Sequence, residues 1–210
     1  MENKLIQKYN TKANDSFTTK LNLYLFSKAV KQNLNDLNLE DFRSFEIGME
    51  LVDLYSTEYW QYEPEHELVP GLTNDAIYKL IDIIKKEYKD VLAEMKNDYV
   101  NKQFHVIYPI SDFENLLQSN TCAYCKITTD EIIQLADRKQ LHKKNYRGWT
   151  LEIDRLDSNL EYKKENCVMA CYWCNNAKTD EFTGEEFMSI GSEIRKIWNK
   201  RLLKDADILK

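Results

Sequence analysis

The sequence predicts an α+β protein in two parts, an all-helical region over residues 1–100 and a smaller strand–loop–strand–helix module over 101–210. Two observations predict it. Apolar side chains recur at helical spacing through the first part, and near residue 100 that rhythm gives way to aromatic, cysteine-rich, strand-like segments. Two Cys-x-x-Cys pairs, Cys122/Cys125 and Cys171/Cys174, then bracket those segments, with 45 residues between the pairs. Composition agrees: 210 residues hold only 5 Gly and 3 Pro, with 43% hydrophobic and 30% charged residues, which favours a globular, helix-rich chain.

Taken in order, Leu21, Leu25, Phe26 and Val30 outline the apolar face of a first helix. Asp41 is a candidate cap for a second, carrying Phe45, Met49, Leu51 and Leu54. The third has the longest periodic run, Ile77, Leu80, Ile81, Ile84, Tyr88, Val91, Leu92 and Met95, with Thr73 or Asn74 to cap it. Between them, Glu63-Pro64-Glu65-His66-Glu67 reads as an exposed acidic loop rather than a metal site. In the second part, residues 148–154 and 166–171 read as strands and 172–179 as a short helix. Thr183-Gly184-Glu185-Glu186 is a capping-box pattern that opens a closing helix with Phe187, Ile190, Ile194 and Trp198 on one face.

Several classes are set aside. No stretch approaches the roughly 20 apolar residues of a membrane-crossing helix, and Met1-Glu2-Asn3-Lys4 lacks the apolar core of a signal peptide. The expectation is a cytoplasmic protein with no membrane partner, in which thiols stay reduced and paired cysteines hold metal. Cys167, the fifth cysteine, reads as a small core residue. The net charge of −6 argues at first against nucleic acid, but residues 1–100 carry 12 Lys+Arg against 18 Asp+Glu, while 101–210 carry 17 of each. Within the second part, Arg138, Lys139, His142, Lys143, Lys144, Tyr146 and Arg147 form a basic segment able to track a phosphate backbone, with Trp149 just beyond.

The cysteines call for a closed structural Zn2+, because each Cys-x-x-Cys knuckle turns two sulfurs toward one ion. Folding free energy from such a site, about 10 kcal/mol or more, is what a module this small lacks in core. Inside the bracket, the oxygens of Asp154 and Asn175 suit a harder cation, Mg2+ or Mn2+. A zinc-held scaffold beside an oxygen-lined cation site points to phosphodiester hydrolysis.

The run Ile153-Asp154-Arg155-Leu156-Asp157-Ser158, with Glu165-Asn166 and then Cys171-Tyr172-Trp173-Cys174-Asn175-Asn176-Ala177-Lys178, resembles the HNH, or ββα-metal, nucleases over roughly half the chain. The resemblance implies a ββα-metal module in which Asp154 and Asn175 bind the catalytic cation. It implies that Asn166 orients the loop between the strands and that Lys178 lies near phosphate. The position after Asp154, where most of the family carry a histidine base, is Arg155, and a guanidinium cannot serve as a base. The pattern is closest to the family's Asp-Arg subgroup, which shares the Cys-x-Tyr-Cys knuckle of Cys122-Ala123-Tyr124-Cys125. That subgroup implies Tyr124 as nucleophile or base, His105 as its neighbour or a phosphate contact, and Arg155 as a neutraliser of charge on the phosphate. Asp157 is either an acceptor for Arg155 or a turn residue.

The expected function is a metal-dependent DNA endonuclease of restriction or phage-defence type, acting on double-stranded DNA, with a homodimer as one arrangement. The alternatives are a non-catalytic zinc module that binds nucleic acid or protein, and a nuclease gated by a partner of the helical half. The choice of DNA over RNA, the recognition sequence and the role of the helical half stay open.

Overall fold

A computed structural model describes residues 2–31, 37–59, 73–141 and 148–203. The acidic loop around His66 lies outside these residues, as do His142, Lys143, Lys144, Tyr146 and Arg147 of the basic segment. The chain divides into two units, Met1–Pro109 with Asn159–Tyr162, and Ile110–Ser158 with Lys163–Lys210.

The first unit is helical. Helix α1 (Glu2–Val30) is much longer than its apolar face at 21–30 suggested. It buries Tyr9, Ala13, Phe17, Tyr24 and Phe26. The predicted second helix is two, α2 (Leu39–Ser44) and α3 (Met49–Tyr59), and the first cap is Asn38, whose side chain accepts from the Asp41 N–H at 2.9 Å. The predicted third helix also divides, at Tyr88, into α4 (Asn74–Glu87) and α5 (Lys89–Asp98), with Thr73 as the N-cap accepting from Ala76 N–H at 3.2 Å. Residues Tyr99–Gln103 then form a π-helical turn before the short α6 (Phe104–Ile107).

A buried carboxylate accompanies the widened turn. Asp98 is 3% exposed; Arg43 donates to its two oxygens at 3.0 and 2.6 Å, and Gln103 donates at 2.9 Å. The Arg43 hydrogen bonds hold the Asp98 carboxyl well below the usual carboxylate range. Around it, Phe17, Phe42 and Tyr99 pack tilted or edge-on with centroids 5.8 to 6.3 Å apart.

The second unit is α+β: α7 (Ile110–Leu117), α8 (Thr129–Asp137), β1 (Glu152–Arg155), β2 (Cys167–Ala170), α9 (Tyr172–Lys178) and α10 (Gly184–Leu203). The strands are shorter than the predicted segments and pair antiparallel, Glu152 opposite Ala170 and Asp154 opposite Val168. Thr183 and Glu186 form the predicted cap of α10: Thr183 N–H donates to Glu186 Oε2 at 2.9 Å, and Glu186 N–H to Thr183 Oγ1 at 3.3 Å. Helix α8 carries a second capping box, Thr128 with Glu131, which sequence reading had passed over. One core of Ile127, Ile132, Leu135, Leu151, Met169, Phe187 and Trp198 surrounds the four cysteines. Among the described residues, no helix is long and apolar enough to cross a membrane.

Candidate active site

The site is assembled around the cysteines. Cys122, Cys125, Cys171 and Cys174 are all buried, and their sulfurs lie within 4.8 Å of one another. Cys125 and Cys171 Sγ are 3.6 Å apart. Four sulfurs placed tetrahedrally at zinc–sulfur distances of about 2.3 Å would lie roughly 3.8 Å apart, so the donor set fits a structural Zn2+. Local backbone explains the placement. Cys122 N–H donates to Ile127 O at 2.9 Å and Lys126 N–H to Cys122 O at 3.1 Å, with Lys126 in the left-handed region at φ 59° to close the knuckle. Ala123 N–H ties the knuckle to β2 through Met169 O at 2.8 Å. Cys171 is the N-cap of α9, so its own turn brings Cys174 to the same ion. Cys167 is buried outside the cluster.

Helix α10 closes the other side of the knuckle. Arg195 makes a bidentate pair with Glu131 at 2.6 and 2.7 Å and donates to Lys126 O at 3.2 Å. At Gly191 the helix lies directly on Tyr124: a Cβ there would meet Tyr124 Cβ at 2.8 Å and its carbonyl carbon at 2.9 Å. The tyrosine ring meets Phe187 edge-on at 5.2 Å.

So held, Tyr124 points its hydroxyl at the first strand and donates to Asp154 Oδ2 at 2.6 Å in a buried hydrogen bond. Tyr124 is 3% exposed and Asp154 9%. Burial, then the hydrogen bond and negative charge of Asp154, raise the Tyr124 pKa, which keeps the phenol protonated as a donor. Burial likewise raises the Asp154 pKa, offset by the Tyr124 hydroxyl and the Lys178 ammonium. The Lys178 Nζ stands 4.0 Å from Asp154 Oδ2 and donates to Ser158 Oγ at 3.3 Å. Its side chain is fully buried, and its charge faces Asp154.

The other expected cation ligand, Asn175, comes from α9. Its Nδ2 donates to Glu152 Oε2 on β1 at 2.7 Å. Glu152 had not been singled out in the sequence, although it sits two residues before Asp154 and strand alternation puts both on one face. Asn166 makes a two-way bridge with the main chain of Asp157: Asp157 N–H donates to Asn166 Oδ1 at 2.9 Å, and Asn166 Nδ2 donates to Asp157 O at 3.0 Å. Together with Leu156 N–H donating to Asn166 O at 2.8 Å, this locks the chain leaving β1. Arg155 follows on β1, half-buried.

His105 belongs to the helical unit, where its ring packs 5.1 Å from that of Tyr9 and its Nδ1 lies 3.4 Å from the Tyr9 hydroxyl. Arg138 donates to Leu202 O at 3.0 Å, capping the end of α10 with positive charge, and Lys139 takes φ 56° at the end of α8. Trp149 is 47% exposed.

Chemically, a buried carboxylate and a side-chain amide on adjoining elements are two hard oxygen donors. They suit a cation such as Mg2+ that keeps most of its waters and takes one or two protein ligands.

No protein-family model matches the chain, and no curated protein matches it. Among solved structures, the chain is similar to PacI, a rare-cutting HNH restriction endonuclease, at 32% identity over 41% of this chain, with a TM-score of 0.34. The match spans 58% of that protein's length.

Proposed function

We propose that the chain is an HNH-type endonuclease that hydrolyses DNA phosphodiester bonds with a divalent cation at Asp154 and Asn175. The observation that supports the reading is that Asp154 lies on β1 and Asn175 on α9, elements bridged by the Asn175–Glu152 hydrogen bond, in a unit whose core holds a four-cysteine cluster. A divalent cation held there would polarise the scissile phosphate and stabilise the departing oxygen. Tyr124 and Lys178 act from behind Asp154, the first as donor to Oδ2 and the second as the charge that offsets its burial. Arg155, one residue further along the strand, neutralises charge that builds on the phosphate. Double-stranded DNA is the proposed substrate, met by exposed groups such as Trp149 and by the basic segment, with a homodimer as the proposed arrangement for cutting both strands.

One observation favours a second reading, a zinc module that binds nucleic acid without cutting it: Arg155 stands where a base would act. The experiment that separates the two incubates zinc-loaded protein with supercoiled plasmid in Mg2+, Mn2+ or EDTA, beside Asp154→Ala. The nuclease reading expects metal-dependent cleavage that disappears in the variant while DNA binding survives. Binding without cleavage under every metal, equal in both proteins, would leave the second reading.

A further inference from the structure

Asn175 is ambiguous as a metal ligand in a way that Asp154 is not. Its amide carries an oxygen that can bind a hard cation on one side and an NH2 that would repel it on the other. A half-turn about the last side-chain bond exchanges the two at little intrinsic cost. Glu152 makes the choice. Its Oε2 accepts from Asn175 Nδ2 at 2.7 Å, and the reversed amide would set the Asn175 oxygen against that carboxylate oxygen. The two residues come from different elements, Glu152 from β1 opposite Ala170 and Asn175 from the turn of α9 that follows Cys174. Strand alternation also sets Glu152 on the same face as Asp154, so one strand supplies both the carboxylate ligand and the residue that aims the amide.

We infer that Glu152 is a positioning residue of the cation site: by holding Nδ2 of Asn175 it commits Oδ1 of Asn175 to the metal. The inference rests on the cation site proposed above. It assigns Glu152 no direct contact with the cation or the phosphate. Removing a residue that orients a metal ligand costs about 10- to 100-fold in metal affinity.

The test is Mn2+ titration of the zinc-loaded full chain without DNA, by electron paramagnetic resonance of free Mn2+, for wild type, Glu152→Ala, Glu152→Gln and Asp154→Ala. Zinc content and melting temperature are measured alongside. Glu152→Ala is expected to weaken Mn2+ binding about 10- to 100-fold with zinc retained. Glu152→Gln, whose amide oxygen can still accept from Nδ2, recovers part of the loss. Plasmid cleavage by Glu152→Ala should then be restored by raising Mg2+, since the defect is in affinity. Unchanged Mn2+ affinity in Glu152→Ala, beside weakened binding in Asp154→Ala, would overturn the inference and leave the cation site standing. Unchanged affinity in Asp154→Ala would overturn the site itself. Equal losses in Glu152→Ala and Glu152→Gln would also overturn the inference, because they would place the carboxylate on the metal. Should Glu152→Ala fail to retain zinc, Glu152→Gln carries the test beside Asp154→Ala: a loss of Mn2+ affinity well short of that in Asp154→Ala is expected, and a loss as large would overturn the inference, because it would place the carboxylate on the metal.

Discussion

Tyr124 and Asp154 share one hydrogen bond that constrains what each can do. A phenol that is 3% exposed and donates to a carboxylate is well placed to hold Asp154 still. Tyr124→Phe keeps the ring against Phe187 and removes the donor. We expect intact zinc binding, Mn2+ affinity reduced about 10- to 100-fold, and cleavage that recovers at high Mg2+. A cleavage defect with Mn2+ affinity untouched would return the tyrosine to the reacting group. Tyr124 was nominated by the resemblance to the family's Asp-Arg subgroup, and Asp154 and Asn175 by their oxygens inside the cysteine bracket. Glu152 was hidden for a physical reason: its partner lies 23 residues away on another element, and only the register of β1 against α9 brings them together.

At the scale of elements, close approach does more than propensity. Gly191 lets α10 lie on the knuckle, and Gly191→Ala forces a methyl group into Tyr124. The expected cost is about 1–3 kcal/mol, read from denaturant unfolding of the zinc-loaded protein. In the helical unit, the Asp98–Arg43 pair gives a pH prediction. The native Asp98 carboxyl is held below its unfolded value of about 3.9 by Arg43, so the pair's stabilisation is fully present above that pH. It is lost as pH falls from there toward the depressed native value. Asp98→Asn should lower stability at neutral pH and flatten the acid limb of melting temperature against pH; an unchanged limb would remove the pair from the account. Capping chemistry was legible here, as Thr73 and Thr183 show. The breaks at Gly48 and Tyr88 were not, because apolar periodicity continues across them and tertiary packing decides where a helix bends.

At the scale of the whole molecule, one unit contains the four-cysteine cluster and the other is held by aromatic packing and the buried Asp98 pair. Chelation by a strong zinc ligand should therefore unfold the second unit, at a loss of about 10 kcal/mol or more of metal-derived free energy, while the helical circular dichroism of the first persists. Full retention of the folded second unit without zinc would contradict the scaffold role. The division falls at Pro109 and gives Asn159–Tyr162 to the helical unit, where Tyr162 N–H donates to Ser16 Oγ at 3.1 Å. No local pattern in the strand-to-strand loop announces that assignment, since it depends on a partner 146 residues away.

In the proposed site, Asp154 and Asn175 together hold one catalytic cation on the zinc scaffold. Its most direct measurement is Mn2+ stoichiometry and affinity in zinc-loaded protein, for wild type, Asp154→Ala and Asn175→Ala. The account predicts one Mn2+ per chain in the wild type, lost or strongly weakened in both variants with zinc content unchanged. Mn2+ bound with equal affinity in all three, or in none of them, would contradict it.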